Sequence, residues 1–326
     1  MNFNSFIGNE KVKEQLRFLE ASGHLPHALL IEGETGLGKR TLAREIALNL
    51  FCRGEGERPC GHCAQCTKVQ KGIHPDIFEY TAPDRANAFH IETVRDVRRD
   101  AFMQPNEADY KVFILGNCQS MSVAAQNAIL KILEEPPAYV LFLLTVTNKS
   151  AMLETVLSRC VTVTLDGVPA PQGAEYLCER DATLAYEDAL NACEVWGGNI
   201  GKAAESLADG KLSKVNRLVN EMADALLSGS EYQLLKACSA FNRDRELLQY
   251  TLTLFRTVLR DALTCGNSET LSGNAQTAER LAAQYSRAKL MRMMEATESL
   301  LRLVRYNANM QLMATRVCTE LIKAQG

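Results

Sequence analysis

The chain has 326 residues, a formal net charge of −3, 46% hydrophobic residues and 23% charged residues. This composition is typical of a globular protein and excludes a disordered or collagen-like chain, and the length suits about two or three domains. The slight excess of acidic residues argues against a protein that coats nucleic acid through charge alone. No apolar run reaches the ~18 residues of a membrane span, and the first residues lack the features of a signal peptide. We therefore expect a cytoplasmic protein that does not bind a membrane.

The first half of the chain alternates short apolar runs with helical patterns. The predicted elements, in chain order, are helix 11–21, strand 27–32, helix 41–51, strand 111–115, helix 122–133, strand 139–145 and strand 161–165. Ser122 is the expected N-cap of its helix. Two of the strands, 111–115 and 139–145, lack polar alternation, which is typical of parallel strands that helices cover on both faces. These elements predict a doubly wound α/β domain whose ligand site lies at the carboxyl ends of the strands.

The second half of the chain reads as helix. All nine prolines lie between Pro26 and Pro171, and a linker is predicted over Asp166–Gly173. Apolar residues at alternating spacings of four and three predict two long helices, around 248–262 and 290–304. Glycines clustered before residue 211 separate a short helical module from a longer bundle. The predicted domains are therefore 1–166, 167–210 and 211–326.

The loop Gly33–Lys39 (GETGLGK) matches the core of a phosphate-binding loop, and a predicted strand and helix flank it as that loop requires. In such loops backbone N–H groups approach phosphate oxygens and the lysine supplies positive charge. The candidate nucleotide-contacting residues are Gly33, Gly36, Gly38, Lys39, Arg40 and Thr41. This pattern predicts ATP or ADP as the ligand. The alternative is a loop that keeps its geometry without binding nucleotide.

Two parts of a hydrolysing site are missing from the sequence. Arg40 stands where the motif normally continues with a Ser or Thr whose hydroxyl binds Mg²⁺. An acidic pair is expected after the second predicted strand, but Gly116 and Asn117 occupy that place. Asp84 and Asp109 are the alternative acids, and neither follows a strong apolar run. We therefore predict that the chain does not hydrolyse nucleotide, while binding without hydrolysis stays open.

Four of the eleven cysteines lie close together in a C-x7-C-x2-C-x2-C pattern. They are Cys52, Cys60, Cys63 and Cys66. Four thiolates at this spacing can complete the closed tetrahedral coordination of a structural Zn²⁺. His62 is an alternative ligand, and reduced or redox-active thiols are the alternative to a metal site. We predict a structural zinc module over 52–66.

Together these features resemble the clamp-loader subunits of bacterial DNA polymerase III, which belong to the AAA+ superfamily. The stretches that carry the resemblance are Phe6–Gly8, His27–Leu30, the four-cysteine insert, Leu133–Pro137 (LEEPP), Ser158–Cys160 (SRC) and Asn307–Leu312. The resemblance implies an AAA+ parallel sheet with a zinc-binding insert. It also implies that 167–210 is a small helical lid and 211–326 an all-α collar through which subunits assemble.

Two kinds of subunit share this layout in the family. ATPase subunits keep an intact phosphate loop and an acidic pair, whereas delta-prime subunits often have neither. Arg40, Gly116 and Asn117 resemble the delta-prime kind, as does Gly201, with Lys202 beside it, where active members carry a sensor arginine. The resemblance implies a subunit that helps to load the sliding clamp onto primed DNA without hydrolysing ATP itself.

The resemblance also gives Arg159 a role. The arginine of the SRC stretch would act as an arginine finger on the γ-phosphate of ATP held by a neighbouring ATPase subunit. The implied partners are ATPase subunits and a clamp-binding delta-like subunit, in a hetero-oligomer expected to be a pentamer. The alternative role of Arg159 is a surface ion pair.

Two other functions stay open from the sequence. The first is an active ATPase motor subunit of the same loader, against which the missing acid after Leu115 argues. The second is a zinc-dependent nucleic-acid-binding module, which should carry basic and aromatic residues around its cysteines. The insert offers Arg53, Arg58 and Lys68 but also acidic residues, and only Phe51 is aromatic.

Overall fold

Two compact units make up the chain, Met1–Val168 and Pro169–Gly326. The computed structural model describes residues 1–83, 88–241, 244–265, 272, 274–305 and 310–326. The boundary between the units falls inside the predicted linker. The second half of that linker prediction is wrong, because a helix begins at Ala170. Pro171 lies in its first turn, where a missing N–H costs the helix nothing.

The first unit contains a parallel sheet and helices. Its strands are β1 (Ala28–Glu32), β2 (Ile77–Thr81), β3 (Lys111–Gly116), β4 (Val140–Val146) and β5 (Val161–Thr164). Its helices are α1 (Glu10–Ala21), α2 (Lys39–Phe51), α3 (Ala64–Gln70), α4 (Ile91–Ala101), α5 (Val123–Glu134) and α6 (Glu154–Leu157). All five strands run parallel in the order β2-β3-β4-β1-β5. The predicted parallel α/β fold is confirmed.

Successive side chains of β1 pack into two apolar layers, one on each face of the sheet. Ile31 packs in a buried cluster with Leu42 and Ile46 of α2. Leu30, its neighbour in the strand, packs in a second cluster with Ile129 of α5. Because helices cover both faces, the strands need no polar alternation, and the loops that follow their carboxyl ends meet at one edge.

One predicted capping residue is confirmed, and four elements of the first unit lie outside the predictions: β2, α3, α4 and α6. The Ser122 side chain accepts a hydrogen bond from the Ala125 N–H and caps α5. β2 escapes prediction because it is an edge strand with half-exposed residues and the polar Glu79 at its centre. α4 escapes prediction because only three of its eleven residues are buried and apolar.

The second unit is helical throughout its described residues. Its helices are α7 (Ala170–Arg180), α8 (Tyr186–Val195), α9 (Ile200–Ala208), α10 (Lys211–Ser228), α11 (Glu231–Ser239), α12 (Arg245–Thr264), α13 (Ala275–Gln284), α14 (Arg287–Arg305) and α15 (Met310–Gln325). The two predicted apolar stripes lie in one buried cluster that reaches from α7 to α15, so they form this unit's own core. The division at residue 210 stays a prediction. No helix in the described ranges is long and apolar enough to cross a membrane.

Candidate functional site

The phosphate loop joins the carboxyl end of β1 to the start of α2. Gly36 and Gly38 have φ angles of 96° and 82°, a left-handed conformation that favours glycine. The helix begins at Lys39, so its first N–H groups have no partners within the helix. A cavity of about 310 Å³ is lined by Thr35, Gly36, Gly38, Lys39, Arg40, Thr41, Thr81, Ile114, Gly116, Asn117 and Thr145. The structure therefore brings five of the six predicted nucleotide-contacting residues to one cavity.

Gly33, the sixth predicted residue, meets the site through Lys39. The buried Lys39 ammonium donates hydrogen bonds to the carbonyl oxygens of Gly33 and Glu34, at 2.5 and 2.8 Å. The lysine charge is therefore held against the loop itself. This placement keeps a cation at the cavity wall, where a phosphate-binding loop uses one.

Arg40 is paired with an acidic residue on the edge strand. Its guanidinium forms an ion pair with Glu79 of β2, and the Arg44 Nε donates to Glu79 Oε1 at 2.7 Å. Burial acts to raise the pKa of Glu79, but Arg44 and Arg40 outweigh it and hold that pKa below its usual value. One carboxylate thus serves two arginines. Sequence reasoning missed Glu79 because no motif marks it and it lies 39 residues from Arg40.

The place of the missing acidic pair is closed by neighbouring groups. A Cβ atom on Gly116 would lie 2.6 Å from Thr81 Oγ1, so a larger residue does not fit unless Thr81 moves. Asn117 has φ 59°, and its Nδ2 donates to the Ala82 carbonyl oxygen at 2.8 Å. Among the cavity-lining residues that the structure describes, Lys39 and Arg40 are cations and none is a carboxylate.

The two alternative acids do not repair the site. Asp109 precedes β3, so it lies at the amino end of that strand, whereas the phosphate loop follows the carboxyl end of β1. Asp84 lies outside the described residues. With Arg40 in the hydroxyl position and no carboxylate on the wall, the described residues do not fit a bound Mg²⁺, which prefers oxygen ligands.

The four predicted zinc ligands come together in the structure. The Sγ atoms of Cys52, Cys60, Cys63 and Cys66 all lie within 4.8 Å of one another. A tetrahedral zinc site with Zn–S bonds near 2.3 Å places its sulfurs about 3.8 Å apart. The Cys60 and Cys66 sulfurs lie at 4.0 Å, so the cluster needs little adjustment to hold a metal ion. The exposed His62 instead places its Nδ1 2.8 Å from the Cys60 carbonyl oxygen.

Backbone N–H groups prepare the thiols to ionise. Cys60 N–H donates to Cys52 Sγ at 3.2 Å, and Cys66 N–H donates to Cys63 Sγ at 3.4 Å. Burial opposes ionisation of Cys63, but the N–H groups of Cys66 and Arg53 outweigh it and lower the pKa of Cys63 to about 6. Burial raises the pKa of Cys66. Because metals bind thiolates, these N–H···S bonds favour coordination.

A buried network of hydrogen bonds links the cysteine module to the sheet, and sequence reasoning missed it. His74 Nδ1 accepts from the Asp76 N–H at 3.1 Å, which leaves the proton on Nε2 to be donated to Gln65 Oε1 at 2.6 Å. The fully buried Asp76 carboxylate accepts backbone N–H groups from the loop 106–108. Gln65 lies on α3, inside the module, so this hydrogen-bond network connects the module to the segment before β3.

Arg159 lies just before β5, and its guanidinium contacts residues of the same unit. Its Nη2 lies 2.6 Å from Glu134 Oε1, and its Nη1 donates to the Thr155 carbonyl oxygen at 2.7 Å. The side chain is 33% exposed and that of Glu134 is 47% exposed. The predicted alternative, a surface ion pair, is therefore present. Its partner belongs to the LEEPP stretch, so two of the stretches that carry the resemblance meet in space.

In the second unit, the residues near the expected sensor arginine pack locally. Lys202, one turn into α9, donates from Nζ to the Tyr250 hydroxyl of α12 at 2.9 Å. Gly201 precedes it in the same helix. Residues 307–309 of the stretch 307–312, which carries part of the resemblance, lie outside the described residues.

Known proteins match the chain over most of its length. Residues 8–169 match the family described as DNA polymerase III, delta subunit. The chain is 30% identical to subunit delta' of Escherichia coli over 242 residues, which cover 74% of this chain and 70% of that protein. It is 26% identical to subunit delta' of Haemophilus influenzae over 316 residues, which cover 94% of each.

Subunits gamma and tau of DNA polymerase III match as well, over a smaller share of their own length. The chain is 29% identical to the Haemophilus influenzae subunit tau/gamma over 259 residues, which cover 77% of this chain and 37% of that protein. The chain spans between 26% and 44% of the length of the gamma and tau subunits compared. The delta' subunits are the relatives that it matches over most of both chains.

Proposed function

The chain belongs to the delta-prime family of DNA polymerase III clamp-loader subunits, and from this premise we propose that it acts in the loader without hydrolysing ATP. In this proposal it supplies Arg159 to ATP held by a neighbouring ATPase subunit. Its partners are the ATPase subunits and a clamp-binding delta-like subunit of a hetero-oligomer, a pentamer. Through that complex it helps to place the sliding clamp on primed DNA.

The observation that carries the proposal is a phosphate loop without its catalytic partners beside an intact SRC stretch. Hydrolysis needs a metal-held phosphate and a residue that orients water. Arg40 replaces the metal ligand, and Thr81 occupies the space that an acid at 116 needs. The chemistry that this chain can still supply is the charge of Arg159.

The contacts of Arg159 suit a finger that is held ready and can be released. A guanidinium stays charged and donates several fixed hydrogen bonds to phosphate oxygens. Its partner Glu134 is half-exposed, and exposed ion pairs contribute only about 0–1 kcal/mol. The γ-phosphate of a neighbouring ATP carries more negative charge than one carboxylate and can displace Glu134. We propose that Glu134 competes with that ATP for Arg159 and releases the guanidinium when the ATP arrives.

The cysteine module completes the proposal as a structural zinc site. Cys52, Cys60, Cys63 and Cys66 would hold Zn²⁺ in a closed four-thiolate shell, which supplies folding energy rather than catalysis. The loop 53–59 that it closes contributes no residue to the described apolar clusters of the first unit, so a bound metal ion would stabilise this loop in place of a core. We assign the helical lid to 167–210 and the oligomerisation collar to 211–326.

Reconstitution of the loader with the Arg159→Ala variant tests the proposal. DNA-stimulated ATPase activity and clamp loading should fall, because arginine fingers contribute about 10³–10⁵ in rate at the site they serve. Assembly, measured by size-exclusion chromatography, should be unchanged. Arg98→Ala, which removes an exposed arginine of α4 in the same unit, is the matched control. Unchanged ATPase activity with Arg159→Ala would overturn the finger.

The gamma and tau relatives favour one second candidate, an active motor subunit. ATP turnover by the purified chain, abolished by Lys39→Ala, would establish that function. Because a motor subunit without a neighbour's finger turns over slowly, the loader is also assembled with Lys39→Ala. Fewer ATP molecules hydrolysed per loader would support the motor role, and an unchanged number supports the non-hydrolysing role.

A further inference from the structure

We propose that the loop cavity binds the diphosphate or triphosphate group of a nucleotide without Mg²⁺, with the Arg40 guanidinium in the place of the metal. This binding goes beyond the role of Arg159 in a neighbour's site. It concerns only the first unit of this chain, so its test does not depend on the loader.

The first support is the charge of the cavity wall. Lys39 and Arg40 are the charged residues among the described lining groups, and both are cations. Polyphosphates need such compensation, which Mg²⁺ normally shares with the loop lysine. Here a second side chain supplies the positive charge, and the positive-φ glycines Gly36 and Gly38 shape the loop that faces it.

The second support is that the same wall excludes the metal. Mg²⁺ requires near-octahedral oxygen ligands, commonly a hydroxyl and a carboxylate of the protein. Arg40 occupies the hydroxyl position, and the methyl and hydroxyl groups of Thr81 close the space above Gly116. A hydrated dication beside a guanidinium is also repelled. A bound polyphosphate is therefore expected to enter free of metal.

The third support is the arrangement of Arg40, Arg44 and Glu79. Two guanidinium groups share one carboxylate, so the trio carries one net positive charge before a ligand arrives. Arg40 lines the cavity, whereas Arg44 does not, and the Arg40 side chain is 57% exposed. Arg40 can therefore turn from Glu79 to a phosphate while Arg44 continues to neutralise Glu79. A guanidinium binds phosphate oxygens in a fixed two-pronged geometry, which suits this exchange.

Isothermal titration calorimetry on the full purified chain tests the proposal, with ATP, ADP and inorganic pyrophosphate as separate probes. Each is titrated in buffer without Mg²⁺ and again with excess MgCl₂, in both cases without a chelator, which would remove a zinc ion from the cysteine module. We expect binding with Kd below about 1 mM without Mg²⁺, and equal or weaker binding with Mg²⁺, because the complexed phosphates carry less negative charge. Pyrophosphate binding equal to that of ADP would assign recognition to the phosphates alone. Tighter binding of the nucleotides would add recognition of the nucleoside, and either result supports the proposal.

Three variants assign the effect to Arg40. Arg40→Ser should weaken binding in the absence of Mg²⁺ at least about tenfold, since a guanidinium–phosphate contact is among the stronger hydrogen-bonded pairs. Arg44→Ser removes the same charge from the same carboxylate without touching the cavity, so its effect should be clearly smaller. Glu79→Gln releases Arg40 and should tighten binding, a gain that misfolding cannot produce.

The overturning results are equally definite. The proposal is wrong if no probe binds without Mg²⁺, if binding requires Mg²⁺, or if Arg40→Ser and Arg44→Ser weaken it equally while both keep the wild-type thermal midpoint. None of these outcomes touches the role of Arg159, which is measured in the assembled loader.

Discussion

Replacement of Asp76 by Asn should destabilise the first unit strongly, although the two side chains have nearly the same shape. One carboxylate oxygen accepts from the Asn106 N–H and Nδ2, at 2.6 and 3.1 Å. The other accepts from the Glu107 and Ala108 N–H groups, at 2.8 and 2.9 Å. An asparagine keeps one oxygen, so two hydrogen bonds to a charged group are lost. At about 1.5–3 kcal/mol each, the free energy of unfolding should fall by about 3–6 kcal/mol.

Urea denaturation at neutral pH, followed by circular dichroism, measures the loss. Asp96→Asn is the control, because Asp96 is exposed on α4 and makes only a surface pair with Arg99. Hydrogen exchange over 104–110 locates the effect, since Asp76 is the acceptor for three backbone amides there. A loss below about 1 kcal/mol, or unchanged exchange over that segment, would refute this account of the Asp76 contacts.

The same carboxylate gives the prediction a pH signature. Burial alone would raise the pKa of Asp76, but the N–H donors of Asn106, Glu107 and Ala108 outweigh it and lower that pKa. A carboxyl whose pKa is lower in the folded state stabilises the fold above its unfolded pKa, near 3.9, and loses that contribution as the pH falls. The stability difference between wild type and Asp76→Asn should therefore shrink below about pH 4.

Three further predictions follow from the other contacts. Cys63→Ser should lower the zinc content per chain, measured by atomic absorption. The control Cys265→Ser removes an exposed cysteine outside the cluster and should not lower it. Equal zinc content in both variants would exclude the site. Glu134→Gln should raise loader ATPase activity by at most about fivefold, since a surface pair contributes about 1 kcal/mol or less, and the control Glu135→Gln should leave it unchanged. A fall in activity with Glu134→Gln would contradict competition between Glu134 and phosphate. Burial lowers the pKa of His74 in the folded state, so protonation favours the unfolded state and the wild-type thermal midpoint should fall as the pH drops below about 6.5. His74→Gln should make the thermal midpoint less dependent on pH over that range. Parallel pH profiles of wild type and variant would contradict a neutral, buried His74.

The parts of the fold that the sequence predicts are those encoded by neighbouring residues. Strands β1, β3 and β4 are continuous apolar runs because helices cover both faces of the sheet at those positions. Ser122 caps α5 through a residue three positions away. β2 lies at an edge and is half-exposed, so its pattern is too weak to separate it from a loop.

The same rule divides the candidate site. The phosphate loop and the three closely spaced cysteines are local motifs, and the structure places them as the spacing predicts. The partners that give these motifs their character come from elsewhere in the chain. Glu79 meets Arg40 across 39 residues, and Asp76 meets Asn106 across 30. Only the order of the strands brings such pairs together, and no local pattern encodes that order.

A single-turnover count of ATP hydrolysed per loader tests the central claim most directly. The loader is assembled with either the wild-type chain or Arg159→Ala, filled with ATP, and triggered with clamp and primed DNA. This account predicts that the purified chain alone hydrolyses none, and that the variant loader assembles normally but loses one rapidly hydrolysed ATP relative to wild type. An equal count in both loaders, or hydrolysis by the chain alone, would contradict it.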